Sequence, residues 1–156
     1  MTRPVTARAS TRRSASSDRG SAVTEFLVIG VLVLMPLAYI VMSVMRVQAA
    51  AFASSQAARE AGRAFVSADS VPLGHQRADV AARLAFLDQG FELPPSSLSI
   101  TCGGGDCLAP GAVVSVDLDW AVDLPWIPSS LAGGRSFSVP IHAMHEVPVD
   151  VFRGSS

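Results

Sequence analysis

The chain has no lysine: its 12 basic residues are all arginine, and 13 acidic residues bring the formal net charge to −1. The absence of lysine excludes Schiff-base chemistry and the phosphate-binding lysine of a P-loop. Charged residues form only 16% of the chain, against roughly 25% in an average soluble domain. The low charge, together with 49% hydrophobic residues, argues against a disordered chain, a nucleic-acid-binding protein and an ordinary cytosolic enzyme.

Groups that usually perform chemistry are also scarce. The 156 residues include three histidines and two cysteines, and their spacing forms no catalytic constellation. His75 lies at the start of a predicted helix, and His142 and His145 lie on a predicted strand. No phosphate-binding loop is present. The sequence therefore predicts no enzymatic activity and no cofactor.

What the chain does have is an uneven distribution of charge. Residues 1–20 carry five arginines and one acid, Asp18, and are rich in serine, threonine and alanine. From residue 21 onward, seven arginines stand against twelve acids. The first 20 residues are predicted to be a disordered, Arg-rich tail in the cytoplasm.

Between these parts lies an uncharged run of 20 residues, Phe26 to Met45. As a helix, a run of this length spans about 30 Å, the thickness of the hydrocarbon core of a bilayer. The Arg-rich flank is expected in the cytoplasm by the positive-inside rule. The sequence thus predicts a single-pass protein of the cytoplasmic membrane, in contact with lipid, with its N-terminus inside and its C-terminal domain extracytoplasmic. Pro36 falls within the run and is expected to kink the helix.

The junction before the run carries the most specific motif. Gly20 ends the basic tail, and Glu25 follows five positions later, one residue before the run. A carboxylate is costly in a bilayer, though less so near the interface. The helix macrodipole explains why an acid is tolerated at this end of the helix, but it does not explain the glycine.

This arrangement resembles the processing site of type IV prepilins and pseudopilins. The resemblance implies cleavage by a prepilin peptidase between Gly20 and Ser21, which would leave Glu25 at the fifth position of the mature chain. It also implies that Glu25 pairs with the terminal amine of a neighbouring subunit. Such pairing offsets the cost of two isolated charges in lipid.

The segment after the run, Arg46 to Val66, is dominated by alanine, serine and glycine, which permit close approach of the backbone. Phe52, Ala58, Ala61 and Phe65 are predicted to form its apolar stripe. The leader, the acid, the Pro-containing run and this segment look like the TadE family of minor pilins in tight-adherence (Flp-type) pilus systems. Phe26 departs from the tyrosine that major Flp pilins tend to have after the glutamate. The resemblance covers residues 19–66. It implies a structural or assembly subunit whose partners are the prepilin peptidase, other pilins and the assembly platform.

Two other interpretations are open. In the first, a conventional signal peptidase uses the small residues at 49–51 or 51–53 and releases a secreted domain. Alternatively, an uncleaved signal anchor presents the external part as a binding module. The start of the mature chain separates the three: Ser21, a residue near 50–54, or Met1.

The external part is predicted to be a small α+β domain over residues 67–156, after the leader (1–20) and the transmembrane and continuing long helix (21–66). A turn at 67–74 precedes a second helix, His75 to Gln89, with Val80, Leu84 and Leu87 as its apolar face. Alternation predicts strands at 98–102, 114–122 and 137–147, within a three- to four-stranded antiparallel sheet with one polar face. Pro140 suggests that the last strand lies at an edge.

The two cysteines, Cys102 and Cys107, flank a glycine-rich turn and are predicted to form a disulfide. A metal site would need further ligands such as His142 and His145, whose spacing of three places them on opposite faces of a strand. Asp117, Asp119 and Asp123 are expected on the solvated face of the sheet. Trp120 and Trp126 are expected to pack in the core and a loop, respectively.

Overall fold

A computed structural model describes residues 18–124, 137–152 and 154 of the chain. The order of elements is two helices followed by three strands, an α+β arrangement, as the sequence predicts. The described residues form two compact units, divided between Ile40 and Val41. The predictions for residues 1–17, for Trp126 and for the loop at 125–134 lie outside the described residues.

The first helix, α1, runs over Asp18–Val66 without interruption. It continues through Pro36, which has no amide hydrogen to donate to the carbonyl of Leu32. In the first unit its residues from Ala22 to Ile40 are exposed or half-buried. No charged residue interrupts this surface between Glu25 and Arg46.

The second helix, α2, spans Val71–Asp88 and begins four residues earlier than the predicted start at His75. Ser70 is the N-cap, with extended backbone angles, and Pro72 lies in the first turn. Proline fits there because the first amides of a helix have no partner within it. The predicted stop is confirmed: Gly90 has φ 74° just after the helix, and its amide bonds to the carbonyl of Leu87 (2.9 Å).

Three antiparallel strands form one sheet in the order β1-β2-β3: Leu98–Cys102, Val113–Asp123 and Ser138–Pro148. The register pairs Ile100 with Val116, and Trp120 with Ile141. The strand β3 lies at an edge, which confirms the expectation from Pro140. One face of β2 is buried and its acidic side chains lie on the other face, as predicted from the alternation.

The core of the second unit lies between the buried face of the sheet and both helices. From β2 it contains Val114, Val116, Leu118 and Val122, all at most 1% exposed. The face of α1 that joins them is made of small residues, with Phe65 at its end: Ala50, Ala53, Ala57, Ala58, Ala61, Phe65. The predicted stripe was therefore wrong at Phe52, which is 69% exposed.

Candidate functional site

Most side chains in the apolar run of α1 are exposed. Phe26 is 77% exposed, Leu32 67% and Met45 64%. Within the described residues one helix, Ala22–Val66, is long and apolar enough to cross a membrane, and none of its most apolar window is buried. The described residues leave these side chains uncovered, and an exposed apolar surface of this extent is unusual for a soluble monomer.

The processing and pairing residues of the prediction lie in the first turns of α1. Gly20 and Ser21 fall on the helical backbone, two and three residues after its start at Asp18. Glu25 is exposed, and no described basic side chain forms an ion pair with it.

At the other end of the run, Arg46 holds the helix to the sheet. Its Nε donates a hydrogen bond to the carbonyl oxygen of Asp123 (3.1 Å), and its guanidinium carbon lies 5.2 Å from the centroid of the Phe91 ring. The hydrogen bond satisfies a backbone acceptor at the end of β2, and the ring contact adds a cation–π attraction. Sequence reasoning did not identify this role.

About two turns further along α1, a polar link joins the helix to the sheet. The indole Nε1 of Trp120 donates to Ser54 Oγ (2.7 Å), and Ser54 Oγ in turn donates to the carbonyl of Ala50 (2.8 Å). Ser54 is fully buried. The Trp120 ring is edge-on to Phe86 and Phe91, with centroids 4.9 and 5.4 Å apart. The core placement expected for Trp120 is thus confirmed, and its hydrogen-bond partner is new.

The apolar face predicted for α2 is wrong. Val80, Leu84 and Leu87 are 57–58% exposed. The buried face is instead formed by Gly74, Ala78, Ala82, Ala85 and Phe86. A Cβ at Gly74 would lie 3.0 Å from Cδ2 of Phe65, so the small residues let α2 approach α1 closely.

An exposed ion pair lies beside this face of α2. Arg83 Nε donates to Asp79 Oδ2 (2.7 Å), one helical turn away. This hydrogen bond, with the opposite charge of the carboxylate, raises the pKa of Arg83. Because both side chains are about half exposed, the pair adds little to stability.

The two cysteines, His142 and His145 occupy the places that the sequence predicts, whereas His75 lies in the second turn of α2 and not at its start. Cys102 and Cys107 form a disulfide across the turn that contains Gly104 and Gly105. His142 and His145 point to opposite faces of β3: Nδ1 of His142 lies 2.8 Å from Asp119 Oδ1 on the exposed face. No group of three or more potential metal ligands occurs within the described residues.

Comparison with protein-family models, with curated proteins and with solved structures finds no match to this chain. Its function must therefore be argued from its own residues. The features with the most specific chemistry are the Gly20–Glu25 junction, the exposed run and the anchored segment that follows.

Proposed function

We propose that this protein is a membrane-anchored, minor pilin-like structural or assembly subunit of a tight-adherence (Flp-type) type IV pilus. A prepilin peptidase removes the leader after Gly20, and the chain is a substrate of that peptidase and not an enzyme. The subunit sits in the cytoplasmic membrane with its C-terminal α+β domain outside. Other pilins contact it through α1, and the assembly platform moves it.

The observation that carries the proposal is the position of Glu25 directly before the first residue of the apolar run. Immediately after it, twenty uncharged residues follow in a helix whose most apolar window has no buried residue. A lone carboxylate there is costly in lipid unless an opposite charge comes to it. Cleavage after Gly20 creates such a charge, the amine of Ser21 on a neighbouring subunit.

The packing of the second unit supports retention of the helix. Cleavage by a signal peptidase after Ala51 or Ala53 would remove Arg46 and Ala50 from the domain. Ala50 is fully buried, and Arg46 bonds to the end of β2. A secreted domain that began near residues 52–54 would lose these contacts, so we favour the pilin-like alternative.

Cleavage is tested by mass spectrometry of the full chain co-expressed with a prepilin peptidase. The parent protein should begin at Ser21, and Gly20→Ala should retain the leader and begin at Met1. Gly30→Ala is the matched control, because a Cβ placed there meets no described atom within 4 Å apart from its chain neighbours and the backbone of its own helix. This control should be processed like the parent.

Three results would contradict the proposal. A parent protein that begins at Met1 would indicate an uncleaved anchor, and one that begins near residues 50–54 would indicate cleavage by a signal peptidase. A mature Gly20→Ala variant that begins at Ser21 would show that the glycine is not required.

A further inference from the structure

The second unit has an apolar groove at the edge where β2 ends and β3 begins. The amide of Leu124 donates to the carbonyl of Phe137 (2.8 Å) and closes the strand ends beside it. The groove has a volume of about 280 Å³, just below the roughly 300–1,000 Å³ of sites that enclose small molecules. It is lined by Ser43, Val44, Val47, Gln48, Leu124 and Val139.

One wall of this groove continues the apolar run. Ser43 and Val44 are among its last three residues, and both belong to the second unit. Leu124 and Val139, on the sheet, line the same groove. The end of the sheet that carries Leu124 and Val139 therefore lies beside the last residues of the apolar run.

Arg46 fixes this placement. It is the first charged residue after the run, and its Nε bonds to the carbonyl of Asp123, directly before Leu124. Phe137, directly before the start of β3, is 52% exposed. This end of the sheet thus combines an arginine, an exposed aromatic ring and aliphatic side chains. Proteins place residues of these types at membrane interfaces.

We propose that this sheet edge rests in the interfacial layer of the bilayer, with phospholipid acyl chains in the groove and Phe137 among them. The occupant is lipid because the groove shares residues with the segment that crosses the hydrocarbon core. The inference rests on the proposed membrane span. It adds a second point of attachment to the bilayer, which restricts tilting of the external domain relative to the membrane surface.

The test places one nitroxide label per molecule in the full chain, reconstituted as single copies in nanodiscs of phosphatidylcholine and phosphatidylglycerol. The labelled variants are Phe137→Cys, Met144→Cys and Leu32→Cys, whose parent side chains are 52%, 60% and 67% exposed. Seven residues along the chain separate Phe137 from Met144, about 23 Å for an extended strand. Collision of each label with oxygen, which partitions into lipid, is compared with collision with a water-soluble nickel chelate.

The labels at Leu32 and Phe137 should both favour oxygen severalfold over the label at Met144. Lipid contact at position 32 with aqueous contact at 137 would overturn the docking and leave the membrane span intact. Aqueous contact at 32 would overturn the span, and the docking with it. If the label at 137 loses contact with water only in discs that hold two chains, a second copy fills the groove and the lipid proposal is wrong.

Discussion

Along α1, residues 26–45 carry large apolar side chains that are mostly exposed, whereas residues 46–66 carry small side chains, many of them fully buried. Leu32 is 67% exposed and Ala57 is 0% exposed, although leucine buries far more apolar area. The buried segment is the one whose small residues let a sheet approach the helix backbone. The exposed segment is hydrophobic, and the described residues leave most of its side chains uncovered.

The largest expected effect comes from placing charge in each segment. In Leu32→Asp/Leu37→Asp, two carboxylates enter the middle of the run, at a cost of about 5–7 kcal/mol for membrane insertion if each costs ~2.5–3.5 kcal/mol. The chain should then fail to integrate, as measured by alkaline extraction of membranes after translation. Ala51→Asp/Gln56→Asp has the same spacing on exposed positions of the second segment and should integrate normally.

Equal extraction of the two variants would mean that the run does not occupy lipid. Loss of integration in the second variant alone would place the membrane-crossing segment further along α1. Either result would remove the distinction between the two segments.

A smaller effect is expected from truncating one phenylalanine in each segment. Phe65 is fully buried, so Phe65→Ala should lower the free energy of unfolding of the second unit by about 3–5 kcal/mol. Phe26 is 77% exposed, and Phe26→Ala should leave that free energy within about 0.5 kcal/mol of the parent. Denaturant unfolding of the full chain in detergent, followed by tryptophan fluorescence, measures both. Similar losses in the two variants would show that the run also packs against the domain.

The smallest expected effect is a difference in the free energy of unfolding between alanine substitutions at two serines of α1. Ser54→Ala leaves the indole Nε1–H of Trp120 without its acceptor, and we expect a loss of about 1–3 kcal/mol. Ser43 Oγ is buried and has no hydrogen-bond partner among the described residues, so Ser43→Ala should be neutral or slightly stabilising. The same unfolding measurement, with the near-ultraviolet circular dichroism of tryptophan, compares them. A larger loss for Ser43→Ala would show that its hydroxyl is satisfied by a group from outside the chain.

The elements of the fold follow closely from local patterns. Strict alternation in 114–122 locates β2 to within one residue at each end, because side chains of a strand point to opposite faces in turn. The cysteines flanking three glycines similarly indicate the disulfide. The start of α2 was misplaced because Pro72 and Gly74 indicate a turn, yet proline in the first turn is compatible with a helix.

The candidate site was less predictable. Gly20, Ser21 and Glu25 are found by their spacing alone, and their roles stay predictions. The contacts of Arg46 and Ser54 were not found, because their partners Asp123 and Trp120 lie 77 and 66 residues away. The periodicity of a short stretch of sequence does not indicate contacts between residues that are so far apart in the chain.

By itself, the sequence determined the uncharged run, the order of helices and strands, the disulfide and the polar face of the sheet. Each depends on residue type and spacing within a short stretch. Only the tertiary structure decided which side of each helix is buried. On α2 the leucine stripe at Leu84 and the alanine stripe at Ala82 both have helical spacing. The alanine stripe is buried because short side chains let the backbones of α1 and α2 come close together, and close packing requires the partner to be in place.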